Sequence, residues 1–257
     1  MKIVIKVGTS TLAHSGGLLN IRRVELLCKV LSDLKNAGND IILVTSAAIG
    51  MGVGKLKLKA RPDDLASKQA AAAVGQCELM YTYDKIFSEY NHTVAQLLMT
   101  GADFENEERH NNFRNTMEKL LEFSAIPIIN ENDTVATKEI EVGDNDTLSA
   151  MVADSIKADL LIILSDIDGL YDDNPKNNPN AKLIPVVENI DEKIWSVAGN
   201  AGSSMGTGGM KTKIRAAEIA TSSGCDVIIA NGTDPNILYD ITNGKAVGTK
   251  FIKKVTI

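Results

Sequence analysis

Six runs rich in β-branched residues recur along the chain, at Ile3–Val7, Ile41–Thr45, Thr93–Leu98, Ile126–Ile129, Leu160–Ser165 and Val227–Ala230. Several are apolar at nearly every position. A strand with one wet face alternates apolar and polar residues, whereas a continuous apolar run fits a strand covered on both faces. Between the runs lie stretches with helical spacing, at Ile21–Ala37, Asp64–Glu89, Glu107–Ser124, Thr147–Lys157 and Gly209–Ser223. Gly38 stops the first of these, and Gly75 marks a candidate kink in the second. Such alternation predicts an α/β fold, a three-layer αβα sandwich around a mostly parallel open sheet. The segment TVATKEIEV reads as a short hairpin over Val135–Val142, set on top of the sheet. No shift in composition marks a linker. The 257 residues therefore read as a single domain of two lobes, about 1–155 and about 156–257.

The bulk numbers narrow the function classes. A net charge of −6 argues against a general nucleic-acid binder, which carries a basic patch or stripe. Aromatic residues make up 4% of the chain, too few for a base-stacking surface. The N-terminal MKIVIKVGTS is too short and too alternating for a signal peptide, and no apolar run reaches membrane-spanning length. The three cysteines, Cys28, Cys77 and Cys225, are odd in number and far apart. They fit neither a disulfide framework nor a zinc site and read as reduced, buried, small apolar residues of a cytoplasmic protein. His14, His92 and His110 lie outside every polar motif and read as non-catalytic.

In open sheets of this kind, ligands bind beyond the carboxyl ends of the strands. The polar and glycine-rich segments of this chain sit at those ends. KVGTS places Lys6 at the end of the first strand, with Gly8 and Thr9 beyond it; the lysine either reaches a phosphate as a point charge or is a surface residue. TSAAIGMG (45–52) keeps the loop after the second strand small, which exposes backbone N–H groups to an anion or allows tight packing. NENDTVA (130–136) combines Asn130, Glu131, Asn132 and Asp133, which are turn residues or a site for an ammonium group. SDIDGLYDDNP begins with Ser165 and Asp166 and resembles part of a calcium loop, but Asn177 stands where that loop needs glutamate. In GSSMGTGGMKTK (202–213) a glycine-rich loop enters a helix, an arrangement that offers N–H groups to phosphate. It is neither a Walker A loop, because Met210 precedes Lys211, nor a GxGxxG fingerprint, which disfavours a dinucleotide-binding dehydrogenase. GDNDTLSA (143–150) sets Asp144, Asn145 and Asp146 at a helix start, where capping requires only one such residue.

Taken in order, KVGTS, VTSAAIGMG, INENDTVA, VGDNDTLSA, SDIDGLY and GTGGMKTKIRAA resemble the amino acid kinase family over essentially the whole chain. Within that family, the resemblance is to members that phosphorylate the γ-carboxylate of L-glutamate with ATP, the first step of proline synthesis. It implies glutamate in the N-terminal lobe, and ATP with Mg²⁺ in the C-terminal lobe. Lys6 and Lys213 then resemble the phosphate-neutralising lysines, and Asp146 the aspartate that holds both. Ser46, Asp133 and Asn145 resemble glutamate-binding residues, with Asn130, Gly8 and Thr9 as neighbours. Ser165, Asp166 and the segment Thr207, Gly208, Gly209, Met210, Lys211, Thr212 and Lys213 resemble the ATP site. Asp144 is a candidate Mg²⁺ contact through water, and Asn145 a candidate donor to the substrate carboxylate. Many relatives carry a C-terminal PUA domain, for which this sequence leaves no room. A homo-oligomer, feedback by proline, and handover of the product to glutamyl phosphate reductase also follow by resemblance alone. Acetylglutamate, aspartate, carbamate and uridylate kinases share the scaffold, and a catalytically silent amino acid sensor is the rival outside enzymes.

Overall fold

A computed structural model describes residues 1–14, 18–135, 145–175, 177–200 and 209–254. Its centre is an eight-stranded sheet. The strands are β1 (Lys2–Val7), β2 (Asp40–Val44), β3 (Val94–Met99), β4 (Ile126–Glu131), β5 (Leu160–Ser165), β6 (Val186–Val187), β7 (Asp226–Asn231) and β8 (Thr249–Phe251). They lie in the order β3-β4-β2-β1-β5-β7-β8-β6. All neighbouring pairs are parallel except β7 with β8.

Ten described helices cover the sheet: α1 (Thr9–Leu12), α2 (Ile21–Asn36), α3 (Ala48–Lys55), α4 (Leu65–Glu89), α5 (Gly101–Glu105), α6 (Glu107–Glu122), α7 (Asn145–Ser155), α8 (Glu192–Asn200), α9 (Met210–Ser222) and α10 (Ile237–Thr242). Successive strand residues point to opposite faces, so β1 divides its side chains between two cores. Ile3, Ile5 and Val7 join Leu27 and Leu31 of α2, Leu79 and Tyr83 of α4, and Leu238 of α10. Val4 faces the other way, with Met117 of α6, Val152 of α7 and Ile214 of α9. The expected three layers follow from this division. Lys6 shares the parity of Val4 and therefore stands on the face that carries α7 and α9.

The chain folds locally for legible reasons. Asn20 caps α2 by accepting from Arg23 N–H at 3.2 Å, and Asp64 caps α4 by accepting from Ser67 N–H at 2.8 Å. Thr100 and Asp103 close a reciprocal capping box on α5.

Several sequence expectations change. Gly75 is not a kink, since α4 runs unbroken from Leu65 to Glu89. A Cβ on Gly75 would overlap the Ala48 carbonyl of α3, and one on Gly52 would overlap the Ala71 carbonyl of α4. The two glycines let the helices touch backbone to backbone. The glycine-rich segment after Ser46, expected as a loop, is therefore helical from Ala48. Cys28 and Cys225 are buried, but Cys77 is exposed on α4. Of the expected hairpin, Val135 lies in a turn and the remainder falls outside the described residues. No described helix is long and apolar enough to cross a membrane.

Candidate active site

The carboxyl end of the sheet gathers the polar segments. Lys6 lies near the end of β1, in register with Val44 of β2 on one side and Ile163 of β5 on the other. Chain order reverses about β1, with β2 on one flank and β5 on the other, and such a switch point leaves a crevice for ligands. Asp146 stands in the first turn of α7 and Lys213 in the first turn of α9. Both helices pack on the face toward which Lys6 points.

These three residues meet. Lys6 Nζ is 2.6 Å from Asp146 Oδ1, and Lys213 Nζ is 3.0 Å from Asp146 Oδ2. Asp146 is 0% exposed, Lys6 7% and Lys213 6%. Burial alone would raise the Asp146 carboxyl, but the two lysines more than reverse that and hold it well below the usual carboxylate range. The Thr212 hydroxyl is shared between Gly209 O at 2.7 Å and Asp146 Oδ2 at 3.1 Å. The Ser149 hydroxyl donates to the Asp146 carbonyl at 2.6 Å, which ties the first turn of α7. The result is one negative charge between two positive ones, a buried cluster at the carboxyl end of the sheet.

Beside it lies an uncharged polar chain. Asn145 Nδ2 donates to Ser46 Oγ at 2.8 Å and to Asn130 Oδ1 at 3.2 Å. Asn130 is buried, and its Nδ2 donates to Gln76 Oε1 at 2.8 Å. The structure thus joins Ser46, Asn130 and Asn145. It differs from the sequence expectation in one respect: both amide hydrogens of Asn145 are engaged, so the carbonyl, not the amine, is left for a ligand. Asn145 Oδ1 is buried without a partner among the described residues. Ala47 follows Ser46 in the left-handed region, φ 82°, which turns the chain sharply from β2 into α3.

The other expected residues surround this pair of clusters. Gly8 caps α1 and Thr9 is its first residue. A Cβ on Gly50 would be 3.9 Å from Thr9 Cγ2, so the KVGTS and TSAAIG segments adjoin. Asp133 is half-buried in the turn after β4, and burial pushes its carboxyl up while Arg61 partly offsets this. Ser165 ends β5 buried, with its hydroxyl 3.2 Å from Oδ1 of the exposed Asp166. Gly209 caps α9, Met210 is buried and Lys211 is exposed. Asp144, Thr207 and Gly208 lie outside the described residues. Sequence reasoning missed Gln76. The available signal was one polar residue on the apolar face of α4, at helical spacing from Ala72, Leu79 and Tyr83.

Comparison with known proteins agrees with this architecture. The sequence model of the amino acid kinase family matches residues 1–231. A glutamate 5-kinase of Clostridium perfringens (strain 13 / Type A) is 52% identical over 257 residues, which cover 98% of this chain and 96% of that protein. A glutamate 5-kinase of Caldanaerobacter subterraneus subsp. tengcongensis is 51% identical over 252 residues, covering 98% of this chain and 68% of that longer protein. Among solved structures, UMP kinase from Bacillus anthracis superposes with a TM-score of 0.65 at 14% identity, over 100% of this chain and 97% of that one. An isopentenyl phosphate kinase gives 0.66 at 15% identity, over 98% and 100%. The structural likenesses speak to the fold, and the sequence relatives speak to lineage. The family model and these sequence relatives show that the chain belongs to the amino acid kinase family.

Proposed function

We propose that the protein transfers the γ-phosphoryl group of ATP to the γ-carboxylate of L-glutamate, giving L-glutamyl 5-phosphate and ADP, the first step of proline synthesis. The observation that carries this reading is the pair of buried lysines on opposite oxygens of Asp146. The glutamate 5-kinase relatives at about half identity over nearly the whole chain support the choice of acceptor.

The chemistry follows from charge. A side-chain carboxylate with a pKa of about 4 is already ionised at neutral pH, so the nucleophile needs no general base. The obstacle is repulsion between that carboxylate and the triphosphate. Phosphoryl transfer is mainly positioning plus electrostatic stabilisation. Lys6 and Lys213 supply positive charge where the two anions meet. Asp146 offsets the repulsion between the lysines and sets their direction. As the carboxylate oxygen bonds to the γ-phosphorus, the bond from that phosphorus to the bridging oxygen breaks, and ADP leaves with the electron pair.

In this reading Ser46, Asn130, Asn145, Asp133, Gly8 and Thr9 hold glutamate in the N-terminal lobe. In it the half-buried Asp133 carboxylate pairs with the ammonium group of glutamate. Ser165, Asp166 and the segment from Gly209 to Lys213 hold the nucleotide in the C-terminal lobe. A surface cleft lined by Asn231, Asp234 and Tyr239 adjoins Ser165, since Ser165 and Asn231 are paired across β5 and β7. Mg²⁺ belongs to the same reading. Such an ion would be carried mainly by substrate phosphates with one or two protein carboxylates. When bound, it would neutralise phosphate charge.

The test is an acceptor panel. Purified protein with ATP and Mg²⁺ is offered glutamate, acetylglutamate, aspartate, carbamate and UMP, and acyl phosphate is trapped as hydroxamate. Glutamate-dependent trapping is expected. ATP consumption with another acceptor, or none with any, would overturn the reading in favour of a sibling kinase or a sensor. Feedback by proline, a homo-oligomer, and direct handover to glutamyl phosphate reductase complete the proposal. Proline titration against activity, light scattering, and a coupled assay with the reductase test each in turn.

A further inference from the structure

The amide chain beside the lysines has a fixed donor–acceptor sense. Glu131 N–H donates to Asn130 Oδ1 at 2.9 Å. A backbone N–H can only donate, so this bond decides which end of the Asn130 amide is oxygen. Asn130 Nδ2 must then face Gln76, and the oxygen Oε1 of Gln76 accepts from it at 2.8 Å. The same Asn130 oxygen receives Asn145 Nδ2 at 3.2 Å, and the second hydrogen of that nitrogen goes to Ser46 Oγ at 2.8 Å. Two consequences reach the acceptor site. Ser46 accepts from Asn145, so its hydroxyl proton is free to donate to an anionic oxygen. Asn145 keeps only its carbonyl, which suits a cation.

Gln76 closes this chain at its buried end. It is 8% exposed and Asn130 is 1% exposed, so water cannot replace the Gln76 oxygen. Gln76 Nε2 is itself buried without a partner among the described residues, so the side chain is held at this place by its single bond to Asn130. The preceding residue, Gly75, seats α4 against the Ala48 carbonyl, two residues from Ser46. Helix α4 thus supports the acceptor loop from behind at two adjacent positions.

We infer that Gln76 is a positioning residue for the amino acid acceptor: by holding Asn130, it keeps Asn145 and Ser46 arranged as an acceptor for ammonium beside a donor for carboxylate. This rests on the glutamate reading above. Gln76 touches no reacting atom and acts through Asn130.

The experiment measures steady-state kinetics of Gln76→Met and Gln76→Leu, in the wild-type and Asn130→Ala backgrounds, with glutamate and ATP varied separately. Both substitutions remove the acceptor and keep the site apolar, with different shapes. Loss of one bond to a buried donor predicts a glutamate KM raised about five- to tenfold, with ATP KM within twofold. In the Asn130→Ala background the same substitutions should move glutamate KM less than twofold, because residues acting in one network are not additive. An unmoved glutamate KM, a parallel rise in both KM values, or full additivity with Asn130→Ala would overturn the inference. A variant that fails to fold is replaced by the other, and failure of both would assign Gln76 to stability and overturn it too. Wild-type protein that consumes no ATP with glutamate would overturn the functional reading, and the inference with it.

Discussion

Asp146→Asn isolates the charge logic of the site. The substitution keeps shape and one oxygen but presents an NH₂ group to one of the two lysines. The ammonium nitrogens lie 2.6 and 3.0 Å from different oxygens of one carboxylate, so they are no more than about 8 Å apart. At an effective dielectric constant of about 20, their mutual repulsion is then at least about 2 kcal/mol. Removing one partner from a buried ion pair costs about 3–5 kcal/mol. We therefore expect Asp146→Asn to lose about 3 kcal/mol of stability and about 6–12 °C in Tm, given roughly 2–4 °C per kcal/mol for chains near this size. The kcat should fall at least a hundredfold, because the lysines no longer point at a common phosphorus.

The pH dependence has a definite sign. The folded carboxyl is held below its unfolded value of about 4. Its contribution is therefore fully present above that unfolded value and is lost as pH falls through the folded one. The stability gap between wild type and Asp146→Asn should be full at pH 7 and narrow as the pH falls below about 4. Inorganic phosphate gives an independent readout, since an added anion replaces the missing charge and should raise Tm more in the variant than in wild type. Thermal melts at pH 7 and pH 3.5, with and without phosphate, alongside turnover at saturating substrates, carry the whole test. A folded variant with kcat within twofold of wild type, or with an unchanged Tm at pH 7, would refute the reasoning.

Lys213→Ala should lower kcat at least a hundredfold while moving glutamate KM less than fivefold; the reverse pattern in steady-state kinetics would deny it a transition-state role. Asp133→Ala should raise glutamate KM about tenfold or more and leave ATP KM within twofold, as judged by varying each substrate separately. Gly75→Ala should destabilise the protein by about 1–3 kcal/mol, the range for overpacking, and raise glutamate KM as α3 is pushed outward. Denaturant unfolding and kinetics on one preparation would check both parts.

The sheet centre was legible because burial on both faces writes continuous apolar runs. All six expected strands fall within a residue or two of β1, β2, β3, β4, β5 and β7. The strands β6 and β8 span two and three residues, too short for any period to emerge. Helix α3 was hidden because its sequence, AIGMGVGK, looks like a turn. Its glycines serve the contact with α4, which is a property of two distant segments together. Lys6, Asp146 and Lys213 were legible as residues at strand and helix ends, where ligands bind. Their meeting at one carboxylate was implied by the family resemblance alone, and its physical cause, the parity of β1 and the packing of α7 on α9, appears only in the fold. Gln76 was not legible as part of the site. Its neighbours in sequence are Gly75 and Cys77, and its partner Asn130 is 54 residues away.

The contact of Gly75 with Ala48 and of Gly52 with Ala71 joins main chain to main chain. No rotamer intervenes, so the gap between α3 and α4 is governed by covalent dimensions. Aliphatic side chains in the surrounding layer can drift in sequence, exchanging volume among themselves, without dragging the Ser46 turn along. The turn proposed to cradle the smaller reactant is thereby set by main-chain contact rather than by the packing of an ordinary interior.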